Sequence, residues 1–422
     1  MCRLFVSIIF LFLCSCSSHL SRSEQQVASY RQGEPAHVQE EDFPIPPFTQ
    51  DREAPRLLLD RALMRLQQGD AKNSLTDFCT ALDAIDYYRN KLLQEATAQL
   101  LIDDRTGPYI APRYETILAR LYSALACYQL GQPDDSFVFL KQAVAHEDLQ
   151  NEQNDREDRS ALLAYLMAVH LERQRDFSQA ALFYRRAYAA AQLAFIQRDL
   201  DRVNSQTPNS HASLIWIVHE GLVPEKISVI APASVASAAA VEVLLAAFDI
   251  PPAISSLSGI ALPAFCEDGR SSRPSHLLLN KKAYAAEKIE DVSAMAVQEL
   301  KEAIPQIAAR AVARQLIRRA TVGVVREKNA LAGDIADLFT LVANFATQAD
   351  TRMWKTLPAS IYFLRMDLPP GTYYLGSGKQ EHTLSLQNGD LCVVQLFHPT
   401  SRQEHWLIPS PYKTFSPGAQ KL

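Results

Sequence analysis

Three stretches of this sequence repeat one spacing of small and bulky residues, and that spacing restricts the fold more than any other feature. Gly69 is followed five, nine and twelve residues on by Ser74, Phe78 and Ala81. Gly131 is followed at the same offsets by Ser136, Leu140 and Ala143. Arg175 is followed by Ala180, Tyr184 and Ala187, with Asp176 and Phe177 directly after the turn position. Another alanine (Ala62, Ala124, Ala168) stands seven residues before each turn. Steps of four and three keep such positions on one helix face. Small residues at the ends of the face let a second helix approach closely, and the bulky residue fills the gap between them. Glycine at the turn accepts a left-handed backbone. The spacing predicts antiparallel helix pairs across residues 51–205.

These offsets resemble the second half of a tetratricopeptide (TPR) repeat. The turns at 69, 131 and 175 lie farther apart than the regular TPR period of about 34 residues, so extra segments must separate the units. Leu101–Pro112 and the polar Asn151–Ser160 stretch fill that role. The resemblance implies a stack of hairpins that presents a groove to a peptide or protein.

A chain of 422 residues is long enough for two or three domains, with 48% apolar and 21% charged residues, an ordinary globular balance. The net charge of −5 argues against a nucleic-acid partner. Only 14 glycines occur, against a usual share of about 7%. Few glycines mean few close backbone approaches to a ligand, which weighs against phosphate-cradling enzymes.

Residues 1–15 carry one positive charge, Arg3, and an apolar run from Leu4 to Leu13. As a helix that run spans about 15 Å, half of a hydrocarbon core, so it predicts a secretory signal peptide. The sequence Leu13-Cys14-Ser15-Cys16 then resembles the lipobox of bacterial lipoproteins. That resemblance implies that Cys16 is lipidated and becomes the mature N-terminus, and that Ser17 directs the protein to the outer membrane of a Gram-negative cell. Residues 16–50 are polar and include Pro35, Pro44, Pro46 and Pro47. They predict a flexible tether with a reach of about 30 Å. Of the remaining cysteines, Cys79 and Cys127 read as buried free thiols, and a Cys266–Cys392 disulfide stays open.

The second half changes texture. In residues 206–357, Leu214–His219 is a β-branched and aromatic run that predicts a strand, with Ile227–Ile230 as its partner and Ile260–Phe265 as a further strand. Ala238–Phe248 predicts an inserted helix. Glu290–Arg326 has a helical period, with Pro305 expected to kink or divide it and Arg310, Arg314, Arg318 and Arg319 forming a basic face. A further helix is expected from Leu331 to Thr347. Residues 358–422 predict a small antiparallel β module and tail, with turns at Pro369-Pro370-Gly371 and Asn388-Gly389. This module resembles antiparallel sandwich modules of bacterial surface proteins. The fold class is thus α+β: N-terminal all-α TPR-like repeats, then a mixed α+β region ending in a small antiparallel β module.

Pro112-Arg113-Tyr114-Glu115, Glu220-Gly221-Leu222-Val223-Pro224 and Ala349–Pro358 together resemble an uncharacterised family of TPR-containing Gram-negative lipoproteins. Asp350, Arg352, Trp354, Leu357 and Pro358 are the most specific part of that likeness. The family implies no established activity. By analogy it points to an envelope protein partner, with the peptidoglycan-synthesis machinery as one such partner. An Asp350–Arg352 pair and a stacked Trp354 are expected to fix the junction between a helix and a strand.

No nucleotide-binding glycine loop, nucleophile elbow or His-Glu-x-x-His motif occurs. Ser410 and Lys413 match Ser-x-x-Lys only in a proline-punctuated tail, and His382, His398 and His405 read as surface histidines of strands. No catalytic residue, cofactor or metal is expected. The sequence predicts a non-enzymatic, lipid-anchored scaffold or regulator of the cell envelope, facing the periplasm. A cell-wall-directed enzyme and a structural or adhesive surface lipoprotein are the alternatives.

Overall fold

The computed structural model describes residues 21–94, 107–154, 156, 158–206, 211–231, 260–266, 276–328, 348–376 and 381–413. Cys16, the inserted helix at 238–248 and the helix at 331–347 lie outside the described residues. The architecture is mixed α+β.

Three helical hairpins follow one another: α2 (Ala54–Gln67) with α3 (Ala71–Gln94), α4 (Arg113–Gln129) with α5 (Pro133–Asn154), and α6 (Ala161–Arg173) with α7 (Phe177–Ala190). A short α8 (Ala194–Asn204) packs on α7. Each hairpin turns at the expected residue, with φ of +83° at Gly69, +70° at Gly131 and +63° at Arg175. The three turns share their hydrogen bonds. The turn N–H donates to the carbonyl three residues back (Leu66, Tyr128, Glu172), and the next N–H donates to the carbonyl five residues back (Arg65, Cys127, Leu171). The packing residues Ser74, Phe78, Ala81, Ser136, Leu140, Ala143, Ala180, Tyr184 and Ala187 are all 0% exposed, as are Ala62, Ala124 and Ala168. Ser74 Oγ also donates to the Ala62 carbonyl across the first hairpin at 2.7 Å.

Arg175 is exposed in a backbone conformation that costs an L-residue about 1–2 kcal/mol. Arg175→Gly is therefore expected to raise stability by about 0.5–1 kcal/mol in chemical denaturation, after the added unfolded-state entropy of glycine. An unchanged midpoint would mean that the turn carries no strain.

The segment expected as a flexible tether is folded from Ser21 onward. Arg22–Gln32 forms α1, closed at its N-terminus by a reciprocal Ser21–Glu24 capping box and at its C-terminus by Gly33 at φ +81°. Val27, Tyr30, Val38 and Phe43 are buried against Leu57, Met64 and Leu222. Two arginines one turn apart on α2 hold the stretch after α1. Arg61 donates to the Phe43 carbonyl (3.0 Å) and Arg65 to the Val38 carbonyl (3.2 Å). Both also pair with buried Asp77 of α3 at 2.8 Å. Composition hid this, because few apolar side chains anchor a polar stretch and the arginines that hold its backbone lie in another element.

Among the described residues the second half builds two larger sheets and a two-stranded ribbon. The larger has the order β11 (His405–Leu407), β10 (Asp390–His398), β1 (Ala212–Glu220), β7 (Ser360–Leu368), β6 (Glu287–Glu290), with β12 (Tyr412–Lys413) also pairing β10. Central β1 runs parallel to β10 and antiparallel to β7. The smaller sheet has the order β5 (Lys282–Ala285), β4 (His276–Leu279), β8 (Gly371–Gly376), β9 (Glu381–Leu386). Among the described residues β2 (Lys226–Ala231) pairs with β3 (Ile260–Phe265), not with β1 as expected. α9 runs from Val292 to Lys328 through Pro305, where a kink or a division was expected, and is not divided there.

The expected separate β module at 358–422 is therefore not a module. Its strands β7 and β10 flank β1 from the preceding region. The turns at Pro370-Gly371 and Asn388-Gly389 do not close hairpins either. Each carries the chain from one sheet to the other, β7 to β8 and β9 to β10. Strand alternation explains the arrangement. Leu214, Trp216 and Val218 of β1, with Cys392, Val394 and Leu396 of β10, face the smaller sheet's Leu277, Leu279, Leu375 and Leu384. Ile215 and Ile217, with Leu391, Val393 and Phe397, face the helices. A sheet buried on both faces reads as a continuous apolar run, as β1 does.

The inner helices α2, α4 and α6 thus lie between two layers. Their partners α3, α5 and α7 cover one side and the larger sheet covers much of the other. Nearly every residue of the inner helices is buried.

Candidate functional site

The motif that the sequence singled out forms a strap, residues 348–358, running from the end of the 329–347 region to β7. It crosses the inner surface of the first two hairpins. Trp354 is 0% exposed, with its ring edge-on to Phe78 (5.8 Å between centroids) and Tyr122 (5.9 Å). Phe78 is the bulky packing residue of the first hairpin, so two separately predicted residue sets meet here. Trp354 Nε1 donates to Thr356 Oγ1 at 2.9 Å, and Leu357 and Pro358 are buried beyond it.

Two buried carboxylates accept the strap's backbone. Asp60 Oδ1 on α2 takes the N–H groups of Lys355 (2.9 Å) and Thr356 (3.0 Å). Glu115 on α4 takes the N–H of Trp354 at 3.0 Å and the hydroxyls of Tyr114 and Tyr109. Burial pushes both carboxyl pKa values up, against Arg56 and Lys355 at Asp60 and Lys226 at Glu115. The Asp350–Arg352 pair is bidentate, at 2.8 and 2.7 Å, and Arg352 extends to Glu53 (2.6 Å) and the Gly107 carbonyl (2.8 Å). Arg31 of α1 donates to the Lys355 and Val223 carbonyls from the other side. All five motif residues therefore hold a junction.

A second buried cluster joins β7 to the third hairpin. Arg365, fully enclosed, donates to Glu172 Oε2 (3.1 Å) and Oε1 (3.2 Å) and to the Tyr184 hydroxyl (2.8 Å). Glu172 also binds Arg202 (2.9 Å), and the Tyr165 hydroxyl donates to Asp199. Burial raises the Glu172 pKa, but Arg365 and Arg202 outweigh it and hold the carboxyl well below its usual range. Between the two clusters, His219 of β1 stacks on Phe397 (4.0 Å) and bonds the Tyr122 hydroxyl through Nδ1 (3.0 Å). Burial lowers its pKa to about 3, so the imidazole is neutral. With Nε2–H directed at Gln395 Oε1, Nδ1 accepts from the tyrosine.

The N-termini of the inner helices receive carboxylates from the β half. Glu299 of α9 accepts the N–H groups of Arg113 and Tyr114 at the start of α4. At the start of α6, Glu290 of β6 accepts Ser160 Oγ (2.7 Å) and Leu162 N–H (3.3 Å), while Glu147 of α5 accepts Ser160 N–H (2.7 Å). Such ends favour an acceptor. Burial nonetheless raises Glu290 to about 7 and Glu147 to about 6. The folded state then binds protons more tightly than the unfolded chain, whose glutamates titrate near 4.5. Stability contributed by the protonated form is complete below about pH 4.5 and is lost as pH rises through 6 and 7. Glu290→Gln is expected to remove on the order of 2–3 kcal/mol of that pH-dependent loss. Denaturation curves at pH 5 and pH 8 check this; a wild-type slope retained in the variant would contradict it.

The remaining candidates do not converge. His398 lies beside Glu220 (3.3 Å) and His405 in the next strand, but His382 sits on the other sheet against Trp406. Among the described residues no group of three or more His, Cys, Asp or Glu side chains is placed to hold a metal ion. Cys79, Cys127, Cys266 and Cys392 are free thiols, and Cys392 donates to the Pro409 carbonyl inside the sandwich core. Burial pushes Cys127 and Cys392 to about 12, so neither is a ready nucleophile. Cys79 is only half-buried, whereas burial was expected. Lys413 lies in edge strand β12, paired with Asp390, and the side chains of Arg314, Arg318 and Arg319 lie outside the described residues.

Sequence reasoning found Trp354, Arg352 and Glu115 but missed Asp60, Asp77, Glu172, Asp199, Glu290 and Arg365. For Asp60 a partial signal was present: Arg56, Asp60, Arg61 and Arg65 place four charges on the fourteen-residue α2, which only partners from other elements can bury. Against known proteins, no family model matches the chain, and neither does any curated protein.

Proposed function

We propose that the protein is a non-enzymatic, lipid-anchored component of a Gram-negative cell envelope that scaffolds or regulates an envelope protein partner. Its hairpins act as TPR-like units, and Cys16 carries the lipid. The observation that carries the reading is what the hairpins' inner face already holds. Tetratricopeptide grooves take up a peptide, and here the strap and the larger sheet occupy that surface. The buried carboxylates and arginines around it are committed to joining segments of the same chain. Binding to a partner then falls to the outer helices α3, α5 and α7, where Tyr87, Val138, Leu149 and Leu182 are exposed.

Crosslinking in intact cells followed by capture of the protein is expected to recover an envelope protein. Val138→Asp with Leu182→Asp should abolish that recovery while leaving the folded protein at the membrane. Recovery undiminished by the double variant would contradict the outer-face reading. Mass spectrometry of the N-terminal peptide is expected to find acyl chains on Cys16; an unmodified Cys16, or cleavage elsewhere, would overturn the anchor.

A further inference from the structure

A body that begins to fold at Ser21 leaves almost no leash behind a lipid on Cys16. The flexible-tether expectation gave a reach of about 30 Å for residues 16–50. Whatever their conformation, the five peptide units from Cys16 to Ser21 span at most about 18 Å. The fold's first residues are held firmly. Ser21 and Glu24 cap α1 reciprocally, Arg22 donates to the Glu41 carbonyl (2.9 Å), and Ser23 Oγ donates to the Pro44 carbonyl (2.6 Å). Tyr30 and Arg31, at the other end of α1, bond to Gln67 of α2 and to the strap. Movement of α1 is therefore passed to the first hairpin and the strap.

We infer that the bilayer holding the acyl chains is itself a surface partner of the body: the edge formed by the start of α1 and the Glu40–Phe43 turn rides directly against the lipid headgroups. The inference rests on the lipidation of Cys16 proposed above. Charge does not make this contact, since the turn whose Glu41 carbonyl Arg22 binds carries Glu40, Glu41 and Asp42, which an anionic surface would repel. The leash makes it. The hairpins follow in sequence away from α1, which packs on α2, so α8 on the third hairpin lies at the far end of the row. A partner reached through the outer helices is accordingly one held close to the same membrane.

The test uses the full-length lipoprotein in vesicles of phosphatidylethanolamine and phosphatidylglycerol bearing a headgroup energy acceptor. A fluorescent amino acid stands at exposed Glu40 or, separately, at exposed Arg198 of α8. Transfer is expected to be several-fold stronger from position 40 than from 198 and insensitive to ionic strength. A twenty-residue Gly-Ser insertion after Ser18 should bring the two positions toward equal transfer. With acylated Cys16 verified by mass, equal transfer from the two positions without the insertion would overturn this inference while leaving the anchor intact. An unmodified Cys16 would overturn both.

Discussion

Trp354→Ala is expected to cost about 3–5 kcal/mol of folding stability, read as a lower denaturant midpoint with little change in slope. The side chain is fully buried, and its ring fills the space between Phe78 of the first hairpin and Tyr122 of the second. Those two rings are themselves stacked, at 6.3 Å, and would close only partly over the cavity. The loss reaches further than one side chain, because Trp354 positions the backbone groups that Asp60 and Glu115 accept. A strap that loosens takes backbone N–H donors away from two buried carboxylates. Trp354→Phe keeps an aromatic edge and should cost clearly less. A loss below about 1 kcal/mol for the alanine variant would mean that the strap contributes little to the junction.

Arg365→Leu is expected to cost a similar amount, about 3–5 kcal/mol, for an electrostatic reason. The guanidinium is enclosed between β7 and the third hairpin, where it neutralises Glu172 and lies 3.8 Å from Asp199. Removing it leaves Glu172 with Arg202 and Asp199 with the Tyr165 hydroxyl, which is one positive charge fewer than the buried pocket holds now. A further Glu172→Leu substitution removes one of the two carboxylates and restores the balance of charge in the pocket. The double variant should then be less destabilised than the sum of the two single ones. Strict additivity would show that Arg365 and Glu172 act independently.

The helix pairs were legible because their rule is local. The residues at Gly69, Ser74, Phe78 and Ala81, and their counterparts in the next two units, lie within thirteen positions of one another and need only helix periodicity to be read. β1 was legible as a strand for the same reason. Its partners were not, since strand pairing is set by alternation on two faces at once, and β10 lies about 180 residues downstream of β1. Tight-turn residues at Pro370-Gly371 and Asn388-Gly389 announced reversals of direction but carry no information on which sheet the chain joins next. The folded segment after Ser21 was hidden by composition: Arg61 and Arg65 hold it through its carbonyls, which every sequence possesses. Trp354 stood out as a motif, whereas Asp60 and Arg365 look like ordinary charges until their partners from remote elements are in place.

The central claim is that hairpins, strap and sheets form one cooperative body, with the inner helices enclosed rather than open to a ligand. Hydrogen exchange read by mass spectrometry on the intact protein tests it most directly. Peptides from α4 and α6 and from β1 and β10 should exchange last and together, and Trp354→Ala should lower protection in helices and sheet by the same factor. Hairpins that exchange in an earlier, separate phase while β1 and β10 remain protected would contradict it.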